Sequence, residues 1–192
     1  MKKALLGLVA ALAPLASAQA EREAPFAVYF FGSVADDHTT RPSGFNPSCW
    51  SDETLAGAGV LFEYTTPASI TLSSGLHYLG EHKNKNCSPE LKLDTTVVPF
   101  TVGYALALGE YLTLTPKLGV AYMAVNGRYN GNDSSEASVK PTYGLALEGR
   151  LGRHWGLRAE VNRYTGSTSL FDVPGEFHQD FRVVSLGGVF RW

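Results

Sequence analysis

Four charged residues lie in segments whose other residues are apolar or small, and they are the first candidates for chemistry. Counted in steps of two, Lys117, Glu148, Arg158 and Glu160 all share the face that carries glycine, alanine, serine and threonine. Charges of both signs on such a face could gate a channel or relay protons, or they could form ion pairs that fill an interior. We favour the filled interior, because an unpaired buried charge would be costly.

The histidines and hydroxyl residues give no catalytic or metal-binding pattern. No histidine has the spacing to another histidine or cysteine that a metal site shows. We expect His77 to face the interior and the others to lie in loops or turns. A nucleophile, base and acid could be drawn from Ser167, His178 and Asp180, but any loop of this composition would offer such a set. We therefore predict no catalytic residue, metal or cofactor. The histidines are His38, His77, His82, His154 and His178.

The segments that carry these residues alternate with a period of two. From Tyr111 to Met123 the bulky residues fall on one face, whereas a helix would space its apolar residues by three and four. The joins after the second, fourth and sixth segments are short, and the other joins are long and polar. This layout predicts an all-β fold, an eight-stranded antiparallel up-and-down transmembrane β-barrel. The predicted strands cover residues 25–35, 53–64, 69–81, 94–106, 111–126, 138–150, 154–165 and 179–192.

Three prolines and the first strand fit the pattern less well. Pro99, Pro116 and Pro141 lie inside proposed strands, and a closed barrel has no edge at which a missing N–H is harmless. We expect each proline to mark a bulge or to lie outside the hydrogen-bonded part of the wall. Between Phe26 and Phe31 bulky residues occupy both faces, so the sequence leaves the phase of the first strand open.

The composition of the two faces separates a membrane barrel from a soluble barrel or sandwich, which alternation alone fits equally well. One face is bulky and apolar, and the other has small residues with isolated charges. A solvated outer face would carry many long charged side chains. The interior of an eight-stranded barrel needs small residues and a few paired charges. The bulky face is therefore predicted to contact lipid, with Leu114 and Leu118 near the bilayer centre.

Aromatic residues near the strand ends are predicted to form the interfacial girdles of such a barrel. Tyrosine and tryptophan suit a membrane interface because each has an apolar ring and a polar group. The predicted girdle residues are Tyr104, Tyr111, Tyr122, Tyr143, Trp155 and Trp192.

Three strand sequences resemble the OmpA/OmpX-like family of small outer-membrane β-barrels. They are Val98–Tyr104, Leu114–Tyr122 and Tyr143–Glu148. The last segment, Phe181–Trp192, is similar to the closing strand of such proteins, which ends in an aromatic residue read by the barrel assembly machinery. The resemblance implies outer-membrane lipid as the surroundings and that machinery as a partner through Trp192. We expect the protein to be a monomer.

Long polar loops and a filled interior predict a structural or surface-interaction role, such as envelope integrity, adhesion or loop-mediated binding. A narrow pore or a small-ligand-binding barrel is the alternative, and either needs a continuous lumen. An enzyme acting on lipid is disfavoured, because the His-x-Ser pair of lipid A deacylases is absent from the matching stretch, Asn162-Arg163-Tyr164. A net charge of −2 without a basic stretch argues against binding of nucleic acid.

The N-terminal segment is predicted to be a cleavable signal peptide rather than a membrane anchor. Two lysines precede an apolar stretch from Ala4 to Leu15, and Ala18-Gln19-Ala20 fits a cleavage site. The predicted division is a signal peptide at 1–20 and an outer-membrane β-barrel domain at 21–192. Export of this kind leads to the outer membrane as the predicted location.

Export also permits a disulfide between Cys49 and Cys87, the two cysteines of the chain. They fall in the first and second long loops, which we expect on the same side of the barrel. A bridge would close a segment of 87 − 49 = 38 residues. The chain-entropy model gives about 4 kcal/mol of stabilisation for such a closure. Free thiols, or pairing between molecules, are the alternatives.

Overall fold

The computed structural model describes residues 24–38, 53–83, 91–129, 131–168 and 177–192. β5 continues β4 after a one-residue break, so eight long strands make up the wall. Within the described ranges no helix has the length and hydropathy that a membrane span requires. The strands in these ranges are β1 (Phe26–Asp37), β2 (Glu53–Thr65), β3 (Ile70–Lys83), β4 (Leu91–Tyr104), β5 (Leu106–Ala107), β6 (Leu112–Tyr129), β7 (Asn132–Arg150), β8 (Trp155–Thr168) and β9 (Phe177–Arg191).

The wall is a closed antiparallel barrel in which long strands pair with their neighbours in sequence. Pairing of β1 with β9 closes the ring, and β4 pairs with β6 beside the short β5. Following paired residues once around the ring from Asp37 leads back to Ala27, a displacement of 37 − 27 = 10 positions along β1. A stagger of this kind is what closes a tilted eight-stranded sheet. The predicted all-β, eight-stranded, up-and-down antiparallel barrel is confirmed.

The largest difference from the predicted strand boundaries is in the hairpin of β6 and β7. β7 begins at Asn132 rather than at residue 138, and its ladder with β6 continues to the pair Tyr129 and Asn132. The ladder between β7 and β8 ends at Thr142 and Tyr164, so the hairpin continues beyond it. The serine-rich sequence of this extension lacks bulky alternation, which is why it was expected to be a loop.

The two faces of the wall have the compositions expected of a membrane barrel. Phe62, Leu118 and Leu186 point outward from the middle of their strands and are among the most exposed side chains of the protein. The charged residues Arg158 and Glu160 point inward and are buried. A barrel built for water would show the opposite arrangement.

The phase of β1, which the sequence left open, is set by the residue opposite on β2. Tyr29 and Phe31 point inward and are buried, whereas Phe26 and Phe30 point outward. Phe31 pairs with Gly59. A Cβ atom at Gly59 would lie 2.4 Å from the Phe31 ring, so only glycine leaves room for this inward ring.

Each of the three prolines lies where one of its two ladders is interrupted. Pro99 pairs with β6, and the β3–β4 ladder has a gap beside it. Pro116 pairs with β7 and lies between the ends of the β4–β6 and β5–β6 ladders. Pro141 pairs with β6 and lies one residue beyond the β7–β8 ladder. The missing N–H groups therefore leave no continuous ladder broken, and none of the prolines coincides with a shift in register.

A β-bulge in β3 changes which residues face the interior. Within the described ladders the register shifts between Tyr78 and Gly80, and Gly80 has a φ of 113°, which favours glycine. His77 faces inward before the bulge, and His82 faces inward after it. The expectation that His82 lies in a loop is therefore wrong. His178, expected in a loop as well, lies in β9.

Leu118 and Leu151 provide a matched test of the lipid-facing assignment, because they are 69% and 70% exposed. Leu118 lies in the middle of β6, and Leu151 lies in the short turn after β7. In phospholipid vesicles Leu118→Arg should reduce the free energy of unfolding by about 2–4 kcal/mol, and Leu151→Arg by about 0–1 kcal/mol, because only the first places a charge in hydrocarbon. Denaturant titration of both variants measures the difference. Equal costs would contradict the assignment.

Candidate functional site

A network of charged side chains in the interior is centred on Arg158 of β8, whose guanidinium contacts carboxylates from three strands. Its Nη1 donates to Glu63 Oε2 at 2.8 Å, and its Nε donates to Glu160 Oε2 at 3.0 Å. Glu148 Oε2 lies 3.9 Å from Nη1. Because β2 and β8 are not neighbours in the ring, the contact with Glu63 crosses the interior.

Two further cations complete the network. Arg191 of β9 donates two hydrogen bonds to the Glu148 carboxylate, of 2.8 and 2.6 Å, and its Nη2 lies 3.5 Å from Glu63 Oε1. Lys117 of β6 donates to Glu160, which also accepts a 2.7 Å hydrogen bond from the Asn162 amide. Three carboxylates thus meet three cations, and all six side chains are buried. Opposite charges in these numbers leave the buried network formally neutral, as burial requires.

All four charged residues expected inside are brought together, and two partners were not in the predicted set. Lys117, Glu148, Arg158 and Glu160 form the network with Glu63 and Arg191. Counted in steps of two along their strands, Glu63 and Arg191 also fall on the inward face. Their pairing depends on the closure of β1 against β9, which a reading of single strands does not provide.

A layer of aromatic rings lies next to this network, on the side toward the long loops. The Tyr29 hydroxyl donates to the Arg158 carbonyl at 3.1 Å, and the guanidinium carbon lies 5.2 Å from the Tyr29 ring centre. Phe31 stacks on Tyr29 at 4.7 Å and meets the His77 ring edge-on at 4.8 Å. His77 Nε2 lies 2.9 Å from Ser33 Oγ, so this buried imidazole has a hydrogen-bond partner.

An apolar cluster fills the next level, toward the ends of the strands that carry the long loops. Its side chains come from every long strand except β7. All of them are at most 5% exposed. Beyond the cluster, a buried pair of Asp37 and His82 joins β1 to β3 at 3.1 Å. The members of the cluster are Ala35, Leu55, Leu79, Val97, Ala121, Met123, Tyr164, Phe181 and Val183.

The serine, histidine and acid considered from sequence do not form a triad. Ser167 Oγ lies 2.7 Å from His178 Nδ1, so these two do meet, on the outer face of β8 and β9. Asp180 instead binds Arg163 through two hydrogen bonds of 2.8 and 2.6 Å. These bonds hold the pKa of the Asp180 carboxyl below its ordinary value. The acid is therefore engaged elsewhere and does not orient the imidazole.

All six aromatic residues expected at the membrane interfaces are exposed on the outward side of the barrel. Near the short turns, Trp155 and Trp192 both contact Phe190, with ring centres 4.9 and 6.0 Å apart. Phe26, which was not in the predicted set, stacks on Trp192 at 6.2 Å. The six residues are Tyr104, Tyr111, Tyr122, Tyr143, Trp155 and Trp192.

Two predictions fall on residues outside the described ranges. Cys49 and Cys87 both lie there, so the disulfide stays a prediction. The signal peptide at 1–20 lies there as well. Among the described residues, no group of three or more histidine, cysteine, aspartate or glutamate side chains is arranged to hold a metal ion.

A closed eight-stranded barrel with a bulky apolar outer face and a charged interior of zero net charge is typical of the small transmembrane β-barrels. The family described as outer membrane protein beta-barrel domain matches residues 5–190. The chain therefore belongs to this family, whose proteins reside in the bacterial outer membrane, and the resemblance noted from sequence is confirmed. A comparison with curated proteins gave no match.

Several solved structures share this fold at low identity. Ail, the attachment invasion locus protein of Yersinia pestis, is 15% identical to this chain, and the superposition has a TM-score of 0.54. It covers 87% of this chain and 99% of the Ail chain. Neisserial surface protein A is 10% identical, with coverages of 88% and 97% and a TM-score of 0.63. The outer membrane protein AlkL is 15% identical, with coverages of 88% and 90% and a TM-score of 0.54. At these identities the likeness shows the fold alone.

The network predicts a large difference between two arginines of the same chain. Arg158→Met leaves three buried carboxylates without their shared cation, and it should cost about 3–5 kcal/mol of stability. Arg128→Met removes an exposed ion pair with Asp133 and should have little effect, because exposed ion pairs contribute little. Denaturant unfolding in vesicles compares the two variants with the parent protein. Similar stabilities for both variants would contradict a buried network centred on Arg158.

Proposed function

We propose that this protein is a non-enzymatic outer-membrane barrel with a structural or surface-interaction role, and that its lumen is closed by side chains. It is exported by its signal peptide and inserted by the barrel assembly machinery, which reads the closing strand ending in Trp192. It works as a monomer, and its partner meets the end of the barrel that carries the long loops. The observation that carries the proposal is the two buried layers inside the barrel, the charged network and the apolar cluster. If these layers close the lumen, the end with the long loops is the part that can act.

Side chains of different character occupy successive levels of the interior. Arg158 and the five other charged residues of the network occupy the end near the short turns. The rings of Tyr29 and Phe31 lie next to them, on the side toward the long loops. The apolar cluster around Met123 and Phe181 follows. To pass through the barrel, an ion or sugar would have to displace both the charged network and the apolar cluster. A narrow pore, the alternative function, would require that both of these layers open.

The projecting hairpin of β6 and β7 supports a role in surface interaction. A polar groove of about 580 Å³ lies on its outer side, where β3 and β4 adjoin it. Arg128 donates two hydrogen bonds, of 2.6 and 3.2 Å, to Asp133 on the opposite strand of the hairpin. These bonds connect the two strands near the tip of the hairpin. The charged and hydroxyl groups that line the groove could form hydrogen bonds with a partner protein or glycan. The groove is lined by Glu81, Lys92, Asp94, Asn126, Gly127, Arg128, Asp133, Ser134 and Ser135.

The named relatives are consistent with more than one role. Ail is named for attachment and was solved with a heparin analogue, and Neisserial surface protein A is named for its location. Their likeness to this chain supports the fold only, so the interaction role proposed here comes from the hairpin and the closed interior. The engagement of Asp180 by Arg163 argues against hydrolysis at Ser167 and His178.

Liposome swelling tests the closed lumen. Vesicles that contain the purified protein should swell in isosmotic sugar no faster than protein-free vesicles, because a lumen closed by the charged network and the apolar cluster would give sugar no continuous water path. A reconstituted porin serves as the positive control. A swelling rate that rises in proportion to the amount of folded protein would contradict the closed lumen and favour the pore.

Shortening the hairpin tests the surface role. Cells that display a variant with residues 126–135 replaced by Asn-Gly should attach to matrix-coated plates several-fold less than cells that display the parent protein. A second variant, Arg128→Ala with Asp133→Ala, keeps the hairpin length and tests its charged end alone. Surface amount and heat-modifiable gel migration control for folding. Unchanged attachment by the shortened variant would contradict a role for the hairpin.

A further inference from the structure

A groove of about 470 Å³ lies on the outward surface of β1 to β4, in the half of the wall next to the short turns. Grooves of this size fall within the range of about 300–1,000 Å³ that is usual for small-ligand sites. Glu63 is the charged residue beside it, and its side chain points into the interior toward Arg158. The polar side-chain groups of the outward walls are one serine hydroxyl, one tyrosine hydroxyl and one tryptophan indole N–H. The walls consist of Phe26, Phe62, Tyr64, Leu72, Ser74, Phe100, Val102 and Trp192.

The groove exists because a small residue lies between two large ones at the same level. Ser74 of β3 pairs with Phe62 of β2 on one side and with Phe100 of β4 on the other. Neighbouring cross-strand side chains stand about 5 Å apart, so the two phenyl rings form walls over the serine. The gap in the β3–β4 ladder next to Pro99 adjoins this notch.

The end of the groove near the short turns is closed by neighbouring aromatic rings. Phe26 lies 5.1 Å from Tyr64 and 6.2 Å from Trp192, measured between ring centres. Tyrosine and tryptophan mark the level at which hydrocarbon gives way to headgroups. The groove therefore begins at the headgroup level and runs toward the bilayer centre, which is the path of an acyl chain.

We propose that this groove binds one acyl chain of a phospholipid from the leaflet next to the short turns. A flexible chain fits a narrow notch between two rings, and an uncharged lining suits hydrocarbon. A second copy of the protein is the competing occupant, but a stable protein interface buries about 800 Å² on each partner and needs a broad complementary surface. A single notch between Phe62 and Phe100 favours the lipid. The proposal does not depend on the surface role of the hairpin.

Spin-labelled phosphatidylcholine tests the site on the whole protein in vesicles. Ser74→Leu fills the notch, and the number of motionally restricted chains should fall by one per barrel relative to the parent protein. Phe100→Ala removes one wall instead of filling the groove, and it should cause the same loss. Ala159→Leu is the matched control, because Ala159 is exposed on the outward face of β8 away from the groove. This variant should retain the parent's number of restricted chains.

Folding of each variant is checked by heat-modifiable gel migration, and association by analytical ultracentrifugation in detergent. An identical number of restricted chains in the parent protein and both groove variants would overturn the proposal. A parent protein that is dimeric, and that becomes monomeric in Ser74→Leu, would assign the groove to a second copy and overturn it as well. Loss of one chain in Ser74→Leu and Phe100→Ala, but not in Ala159→Leu, supports it.

Discussion

Inside a bilayer every backbone N–H and C=O needs a partner within the protein, because no water is present to replace a missing one. In this chain a ring of antiparallel ladders meets that requirement, and the pairing of β1 with β9 completes it. The prolines are tolerated because each lies where a ladder is interrupted or has ended, as Pro141 does just beyond the last β7–β8 pair. The same closure sets the stagger of ten positions, and the stagger determines which side chains meet inside.

Alternation along single strands predicts the direction of a side chain well, but not its partner. Alternation places Lys117 and Arg158 in the interior because they share the face of small residues, opposite the bulky face that is assigned to lipid. It could not pair Glu63 with Arg158, since these residues lie 95 positions apart and meet only after the ring has closed. The fold class followed from local pattern and loop lengths, whereas the detailed network follows from closure between the two ends of the chain.

One wrong expectation and one question that the sequence left open show where a period of two is insufficient. One inserted residue at the Gly80 bulge reverses the alternation, so His82 faces inward although simple counting from His77 would turn it outward. In β1 both faces carry rings, and only the space left opposite Phe31 by Gly59 decides the phase. In both cases a glycine carries the missing information, and that information is about space or backbone geometry rather than hydrophobicity.

The contrast between the two faces also explains why the interior combines ion pairs with an apolar layer. Buried ion pairs are weak evidence for stability, because desolvation offsets much of their attraction. They do penalise errors of register, since a slip of one residue turns every side chain of a strand to the other face. A slip of β8 by one position would move Arg158 and Glu160 into hydrocarbon and would leave the carboxylate of Glu63 without its partner. The apolar layer alone would tolerate such a slip, because leucine and valine are suited to either side of the wall. The charged layer therefore distinguishes the correct register from a slipped one, which contact with lipid cannot do. The network inside the barrel thus specifies the register in which the ring closes.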